Sequence, residues 1–489
     1  PPVGVPQVFL DPMEDPLGDV VGRYARTHGP FSTESVSTDL RLPIAVVASA
    51  LSNLEAAGRI RRGAFRPDGS QSEWVETEVL RRIKRRSLAV LRSEIEPVDA
   101  ATMSEFALAW HGVGSDRRSS DRLVEIIRQL QGYPVPGSAI EKDLLPGRMR
   151  YDPVLLDQLM LGGEVVWVGH GSLGPRDGKL ALFFRSQLSK LALPRASDLE
   201  LTEVHDAILG LLEQRGASFF ADIYGAAGGG DPQIIEASLW DLVWQGLVTN
   251  DTLAPVRSLS AQRRKTARRG ALRSSFAPTT AGRWWLISDA IEDGVPDTVK
   301  SAAWADVLLE RHGVITRDGA SAESVSGGFT RFYPILRQME DIGKVRRGYF
   351  VEGMGGAQFA LPGAVDRLRA PDDSVAALAA TDPANLYGAA VPWPKHPSGR
   401  PARAAGAWVV VASGSLAAYV DRRRILTYSA SDHRVAAALA QIGGRRGRMT
   451  INEIDGDSPA GTKLGELLQQ HGFGVTPRGL AYRGPRRDS

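Results

Sequence analysis

At 489 residues, with 24% charged and 43% hydrophobic side chains, the chain is too long for one core and has the composition of a folded multidomain protein, not a disordered or fibrous one. Cysteine is absent, which excludes disulfides, thiolate metal sites, iron–sulfur clusters and a cysteine nucleophile, and fits a cytoplasmic location. The net charge of +3 is unevenly spread: residues 257–283 hold eight basic and no acidic residues, so the remaining 462 sum to about −5.

No run of eighteen apolar residues occurs, and "WVVVASGSLAAYV" (Trp408–Val420) is shorter and broken by Ser and Gly, so no membrane span is expected. An internal repeat organises most of the rest. "RYARTHG" ends at Gly29 and "LSNLEAAG" at Gly58; "IIRQLQG" ends at Gly132 and "LDQLMLG" at Gly162; "LLEQRG" ends at Gly216 and "LVWQG" at Gly246; "LLERHG" ends at Gly313 and "LRQMEDIG" at Gly343. The separations are 29, 30, 30 and 30 residues, which argues for one supersecondary unit used four times.

In the first copy, Val20, Val21 and Tyr24 share a helical face ahead of Gly29, and Ser32 or Thr33 caps a second helix. Val46, Ala50, Leu51 and Leu54 share a face on a third helix that stops at Gly58. Alternating "RIRRGAF", a "PDGS" turn and "SEWV" then predict a hairpin. Three helices and a two-stranded wing make a winged helix, whose third helix can enter a DNA groove while the wing touches the backbone. Such modules also dock on one another. The expected fold is therefore mainly α with small β wings: tandem winged helices and a C-terminal mixed α/β or barrel-like domain.

The expected divisions are a first winged helix over 16–79, a helical connector over 80–120, and a second winged helix over 121–195. A third over 196–256, a flexible basic linker over 257–283, a fourth over 284–363 and the C-terminal domain over 364–489 complete the chain. Arg61 and Arg62 in the first wing and Arg346 and Arg347 in the fourth favour phosphate contact. Arg81, Arg82 and Arg85 in the connector, and Arg263, Arg264 and Lys265 in the linker, are either solvated or on phosphate. The third wing, "LVTNDTLAPV", has no cation and is expected to be structural.

No G-x-x-x-x-G-K-[ST] phosphate loop is present, and "GTKLGE" (Gly461–Glu466) has the wrong order, so ATP hydrolysis is not expected from these residues. "GMGGAQ" (Gly353–Gln358) falls in a wing, not between strand and helix. The eight histidines form no H-x-x-x-H pair, no metal site is expected, and no G-x-S-x-G occurs.

Five phrases together resemble the C-terminal half of the bacterial large helicase-related proteins. They are "DPLGDVVGRYARTHGPF", "LQGYPVPGSAIEKDLLPGRMRYDPVLLDQLMLGGEVVWVG", "HGVITRDGASAES", "GKVRRGYFVEGMGGAQFALP" and "TDPANLYGAAVPWP". The resemblance implies a role in DNA repair. It implies partnership with an N-terminal helicase core in the same polypeptide, with ATP and magnesium needed only by that motor. DNA, single-stranded or damaged, is the implied partner, and self-association into a homo-oligomer is compatible with it.

The same region is similar, more distantly, to winged-helix DNA glycosylases, which carry a Gln-x-Gln or Gln-x-Asp pair just after a helix. That layout puts Gln131 on the first Gln, whereas the second polar position falls on Tyr133 and departs from the pattern. Independently, breaking an N-glycosidic bond passes through an oxocarbenium-like sugar and needs a carboxylate or amide oxygen beside it, with the base swung out of the stack. Near Gln131 the candidates are Tyr133, Glu141, Asp143, Arg148 and Arg150. Asp143, followed by Leu-Leu-Pro, is the carboxyl expected to face inward, with Arg148 and Arg150 as DNA contacts. The plainer alternatives are a turn-capping amide for Gln131, an ion pair with Arg148 or Arg150 for Asp143, and packing on the Pro-rich turn for Tyr133. Tyr387 and Trp393 either stack on bases or plug a domain boundary. Three functions follow as expectations: a glycosylase-like module excising uracil or another damaged base, a non-catalytic DNA-binding and self-association platform, or a transcription regulator.

Overall fold

The computed structural model describes residues 15–66, 72–93, 96–191, 199–261, 278–323, 325, 327–370, 373–429 and 432–484. It divides after Glu96 into two compact units.

The first unit is a winged helix: helices Pro16–Thr27, Thr33–Leu40 and Ile44–Ala56, then antiparallel strands Ile60–Gly63 and Glu73–Glu76. Asp15 caps the first helix through the Gly18 N–H, and Ser32 and Ser35 cap the second reciprocally. Val21, Tyr24, Phe31, Val36, Leu51, Leu54 and Trp74 fill its core. The third helix buries Val47, Ala50, Leu51 and Leu54, so Val46, expected inside, is 38% exposed. Spacing i, i+3, i+4, i+7 selects Val47 as the member of that face. Helix Thr77–Ser93 follows directly from the wing and stays in this unit, whereas Ala100–Trp110 lies in the second. Residues 80–120 are therefore split between two bodies and do not form one connector.

Three further winged helices stand in the second unit. Module 2 has helices Ser120–Leu130 and Pro153–Leu161, between them a short turn Gly137–Ala139 running into a π-helix Ile140–Leu144, and a three-stranded sheet with the long hairpin Val165–Ser172/Gly178–Phe184. Module 3 has helices Glu203–Arg215, Phe220–Ala226 and Pro232–Trp244, and module 4 has Asp297–His312, Arg317–Ala322 and Gly328–Asp341. Strand Arg283–Leu286 pairs with Ser218–Phe219 and Val248–Asn250, which puts it in module 3. The basic stretch 257–283 therefore interrupts module 3 between its wing strands instead of separating modules 3 and 4. Its first residue, Arg257, sits on helix Ala254–Ala261 and pairs with Glu141 and Asp157. Arg263, Arg264 and Lys265 lie outside the described residues.

Modules 2 and 3 share one core. Trp167 donates to the Thr252 carbonyl at 3.1 Å, and Thr249 donates to the Trp167 carbonyl at 2.6 Å. At Gly169 a Cβ would come within 1.8 Å of the Val243 carbonyl oxygen, so only glycine permits this approach.

The C-terminal domain has a five-stranded sheet ordered Val375–Ala379, Trp408–Ala412, Ser415–Asp421, Arg424–Thr427 and Glu453–Ile454, antiparallel except for the last pair. A three-stranded sheet and helices His433–Arg446 and Lys463–Gln470 complete its core. No sheet among the described residues closes, so the barrel-like alternative gives way to the mixed α/β one. No helix among them is long and apolar enough to cross a membrane.

Candidate nucleic-acid interface

In the first unit Arg61 and Arg62 stand exposed on the wing; the Arg62 guanidinium lies 5.4 Å over the Trp74 ring and its Nε donates to Ser72 at 2.5 Å. Arg81, Arg82 and Arg85 are exposed on the next helix, with Arg81 and Arg85 both reaching Glu78 at 3.1 and 3.5 Å. The outward face of the third helix (Ile44, Val46, Ser49, Asn53) has no cation. The exposed cations of this unit's second half therefore lie on the wing and on the helix after it, not on the third helix. In module 4, Arg346 is exposed and Arg347 is half-buried, 5.6 and 6.0 Å from the Tyr333 and Phe359 rings. Its third helix exposes Thr330, Arg337 and Gln338, a polar set that periodicity alone did not single out. The corresponding helix of module 3 exposes Gln233, Ile234, Ala237 and Asp241, again without a cation.

Gln131 and Tyr133 lie inside a junction of module 2, module 4 and the C-terminal domain. Gln131 caps the C-terminus of helix Ser120–Leu130 and is 5% exposed. Its carbonyl accepts from Arg311 at 2.5 Å, while its Oε1 is buried without a partner. The Arg311 guanidinium lies 5.2 Å over the Tyr133 ring, and the Tyr133 hydroxyl accepts from Arg403 at 3.0 Å. Burial pushes the Tyr133 pKa up, against the pull of Arg403. Arg311 is itself paired with Glu323, which His312 also meets at 2.5 Å. Burial would raise the Glu323 carboxyl, but Arg311 and His312 outweigh it and hold it below its usual range.

Arg148, expected on DNA, is fully buried. It makes a bidentate pair with Asp382 at 2.7 and 2.6 Å and donates to the Leu144 carbonyl at 3.2 Å. Beside it, His111 is held well below its usual pKa, first by burial and then by Arg148, so it stays neutral. A guanidinium fully buried and held bidentately by a carboxylate cannot leave for a phosphate. Arg150 is exposed, as a DNA contact requires.

Arg148 is taken by Asp382, and among the described residues Asp143 pairs with neither Arg148 nor Arg150. Asp143 lies half-buried on the π-helix. Burial pushes its pKa up to about 6; Arg446, Lys142 and Arg445 act in the opposite direction and Asp382 in the same one. Arg445 and Arg446 end helix His433–Arg446, with guanidinium carbons 5.7 and 5.5 Å over the Trp408 ring. Arg445 Nη1 is buried with no partner. Its neighbour on the π-helix, Glu141, is fully engaged: Tyr151 donates to it at 2.5 Å and Arg257 at 2.5 and 2.9 Å. The arginine pair was visible in the sequence as "RRGR" (Arg445–Arg448) closing an apolar helix, but nothing local tied it to Asp143.

Two other features are less suited to nucleic acid. A cavity of about 730 Å³ opens between modules 2, 3 and 4 over Phe183, Leu247, Ile287 and Trp304, but Glu213, Glu292 and Asp293 give it an acidic rim that repels phosphate. Tyr387 donates to the Gly414 carbonyl at 2.9 Å and stacks 6.3 Å from Trp393, which meets Tyr419 edge-on at 5.8 Å. Trp393 packs within the C-terminal domain, whereas Tyr387 also reaches Ser104 of helix Ala100–Trp110, the domain-boundary arrangement.

Among the described residues, four three-helix modules with β wings, followed by a mixed α/β domain, define a tandem winged-helix protein. Residues 98–185 and 295–379 match the models for the third and fourth winged-helix domains of the large helicase-related protein, and the chain fits a C-terminal fragment of a protein of this family. It is 39% identical, over 99% of its length, to the "Lhr helicase/ probable uracil glycosylase" of Mycolicibacterium smegmatis. It is 33% identical, over 98% of its length, to the "Lhr helicase/uracil glycosylase" of Escherichia coli. The chain spans about a third of the length of these curated relatives, 35% and 34%.

Proposed function

We propose that this region binds DNA for a helicase core carried on the same polypeptide, and that it removes a damaged base, uracil being the first candidate, at Asp143. The observation that carries the catalytic part is the environment of that carboxyl: half-buried, raised to about 6, and flanked by Arg445 and Arg446. A carboxylate titrating near neutrality is suited to general-base work. It takes a proton from water as the water oxygen bonds to the anomeric carbon of an extruded nucleotide. The N-glycosidic bond breaks, its electron pair leaves with the base, and the base nitrogen recovers a proton from solvent. Gln131 and Tyr133 enter as residues that hold the module junction in place.

The test is incubation of the chain with single-stranded DNA containing one uracil, in EDTA, followed by alkaline cleavage of abasic sites. The expected result is product from the wild type and none from Asp143→Asn, with DNA binding retained. The burial of Gln131 and the engagement of Tyr133 favour a second reading, a non-catalytic DNA-binding platform. That reading predicts no product from any lesion.

A further inference from the structure

The C-terminal sheet ends in a group of arginines that no winged helix supplies. Trp408 opens its strand opposite Val420, and the turn just beyond Val420 carries Arg422 and Arg423, both exposed. Helix His433–Arg446 ends at the same edge: Arg445 and Arg446 stack on Trp408, and Arg446 donates to the Gly406 carbonyl. Arg448 is exposed beyond the left-handed Gly447. Among the described residues Arg422, Arg423 and Arg448 make no ion pair, and the acids at this end are Asp143, Asp421, Glu453 on the strand beside Arg424, and Asp382, which is committed to Arg148. Residues 373–484 carry thirteen Lys/Arg against eight Asp/Glu, whereas residues 97–372 carry 31 against 34. Guanidinium groups gathered in excess of carboxylate, two of them fixed on an indole, form a preorganised set of donors to phosphate oxygens.

We propose that this end of the C-terminal sheet is a second DNA-backbone surface, distinct from the wings, which grips single-stranded DNA through its phosphodiesters. Its position beside Asp143 lets it hold the strand whose base is excised, a clause that rests on the proposed function; the binding itself does not.

The test uses the full chain and a fluorescein-labelled 20-nucleotide oligothymidine, with anisotropy read across a salt series. The variant Arg422→Glu/Arg423→Glu/Arg448→Glu alters exposed positions only, and its melting midpoint is compared with the wild type. Arg422→Ser/Arg423→Ser/Arg448→Ser serves if the reversal unfolds the domain. A matched control reverses Arg117, Arg317 and Arg369, exposed cations elsewhere in the same unit. The expected result is a loss of at least about tenfold near 0.1 M salt, with the slope of log affinity against log salt shallower by about two, as three lost phosphate contacts on a single strand give. Unchanged affinity and slope overturn the proposal, and so does an equal loss in the control. Because binding is read without excision, a failed uracil assay beside a positive result here removes only the catalytic reading.

Discussion

Two acid–arginine constellations join module 2 to the C-terminal domain, and they are built to opposite purposes. Arg148 and Asp382 are both essentially inaccessible and meet bidentately through the two Nη atoms, which also reach the Leu144 carbonyl and a neutral His111. Asp143, a turn earlier on the chain, faces Arg445 and Arg446 in partial contact with solvent, with a raised carboxyl pKa and no ion pair among the described residues. The first is a buried bidentate ion pair that holds two domains together. In the second, charge is gathered but not paired off, which is the condition a substrate or its phosphates can complete.

The comparison breaks most visibly at Arg148. Arg148→Met leaves Asp382 buried and unpaired, and we expect unfolding free energy to fall by about 3–5 kcal/mol in urea titrations. Arg148→Met combined with Asp382→Leu should recover most of that loss, because an apolar pair replaces a desolvated one. If the double variant were as unstable as the single, the pair would be contributing net attraction.

Asp143→Asn should move stability the other way. The native carboxyl titrates near 6, above its unfolded value near 4, so the native state binds more protons between those limits. Asp143 thus costs stability as pH rises from about 4 to about 6, and the full cost is present at pH 7. Removing its charge should stabilise the chain there by about 1–2 kcal/mol, after allowance for partial solvent screening, and should flatten that part of the pH–stability curve. Denaturant midpoints at pH 4 and pH 7 measure both effects.

The smallest contrast lies between winged helices. Arg61→Glu/Arg62→Glu in the first wing should weaken DNA binding about tenfold at low salt and flatten its salt dependence. Ala237→Glu on the cation-free face of module 3 should leave affinity within about twofold, both read by anisotropy.

What the sequence made readable was local. Six of the eight repeat glycines, Gly58, Gly132, Gly216, Gly246, Gly313 and Gly343, have φ between +65° and +78°, so a helix-stop rule was enough to reveal the modules. The site was only partly legible. Asp143 could be picked out by its apolar neighbours, but its arginine partners come from a helix some 300 residues later. Arg148 meets Asp382 at a separation of 234 residues, and Gln131 meets Arg311 at 180, so neither periodicity nor motif spacing could show that one was a strut and the other a wedge. Strand Arg283–Leu286 hid for the same reason: its partners lie on the far side of the basic stretch.

The account turns on Asp143 acting as a base, and the pH profile of single-turnover uracil excision from single-stranded DNA tests that most directly. We predict a rate that rises through an apparent pKa near 6, levels off above it, and is lost by about 10²–10⁴-fold in Asp143→Asn while DNA binding persists. Excision that is independent of pH across this range, undiminished in Asp143→Asn, or absent from the wild type would contradict it.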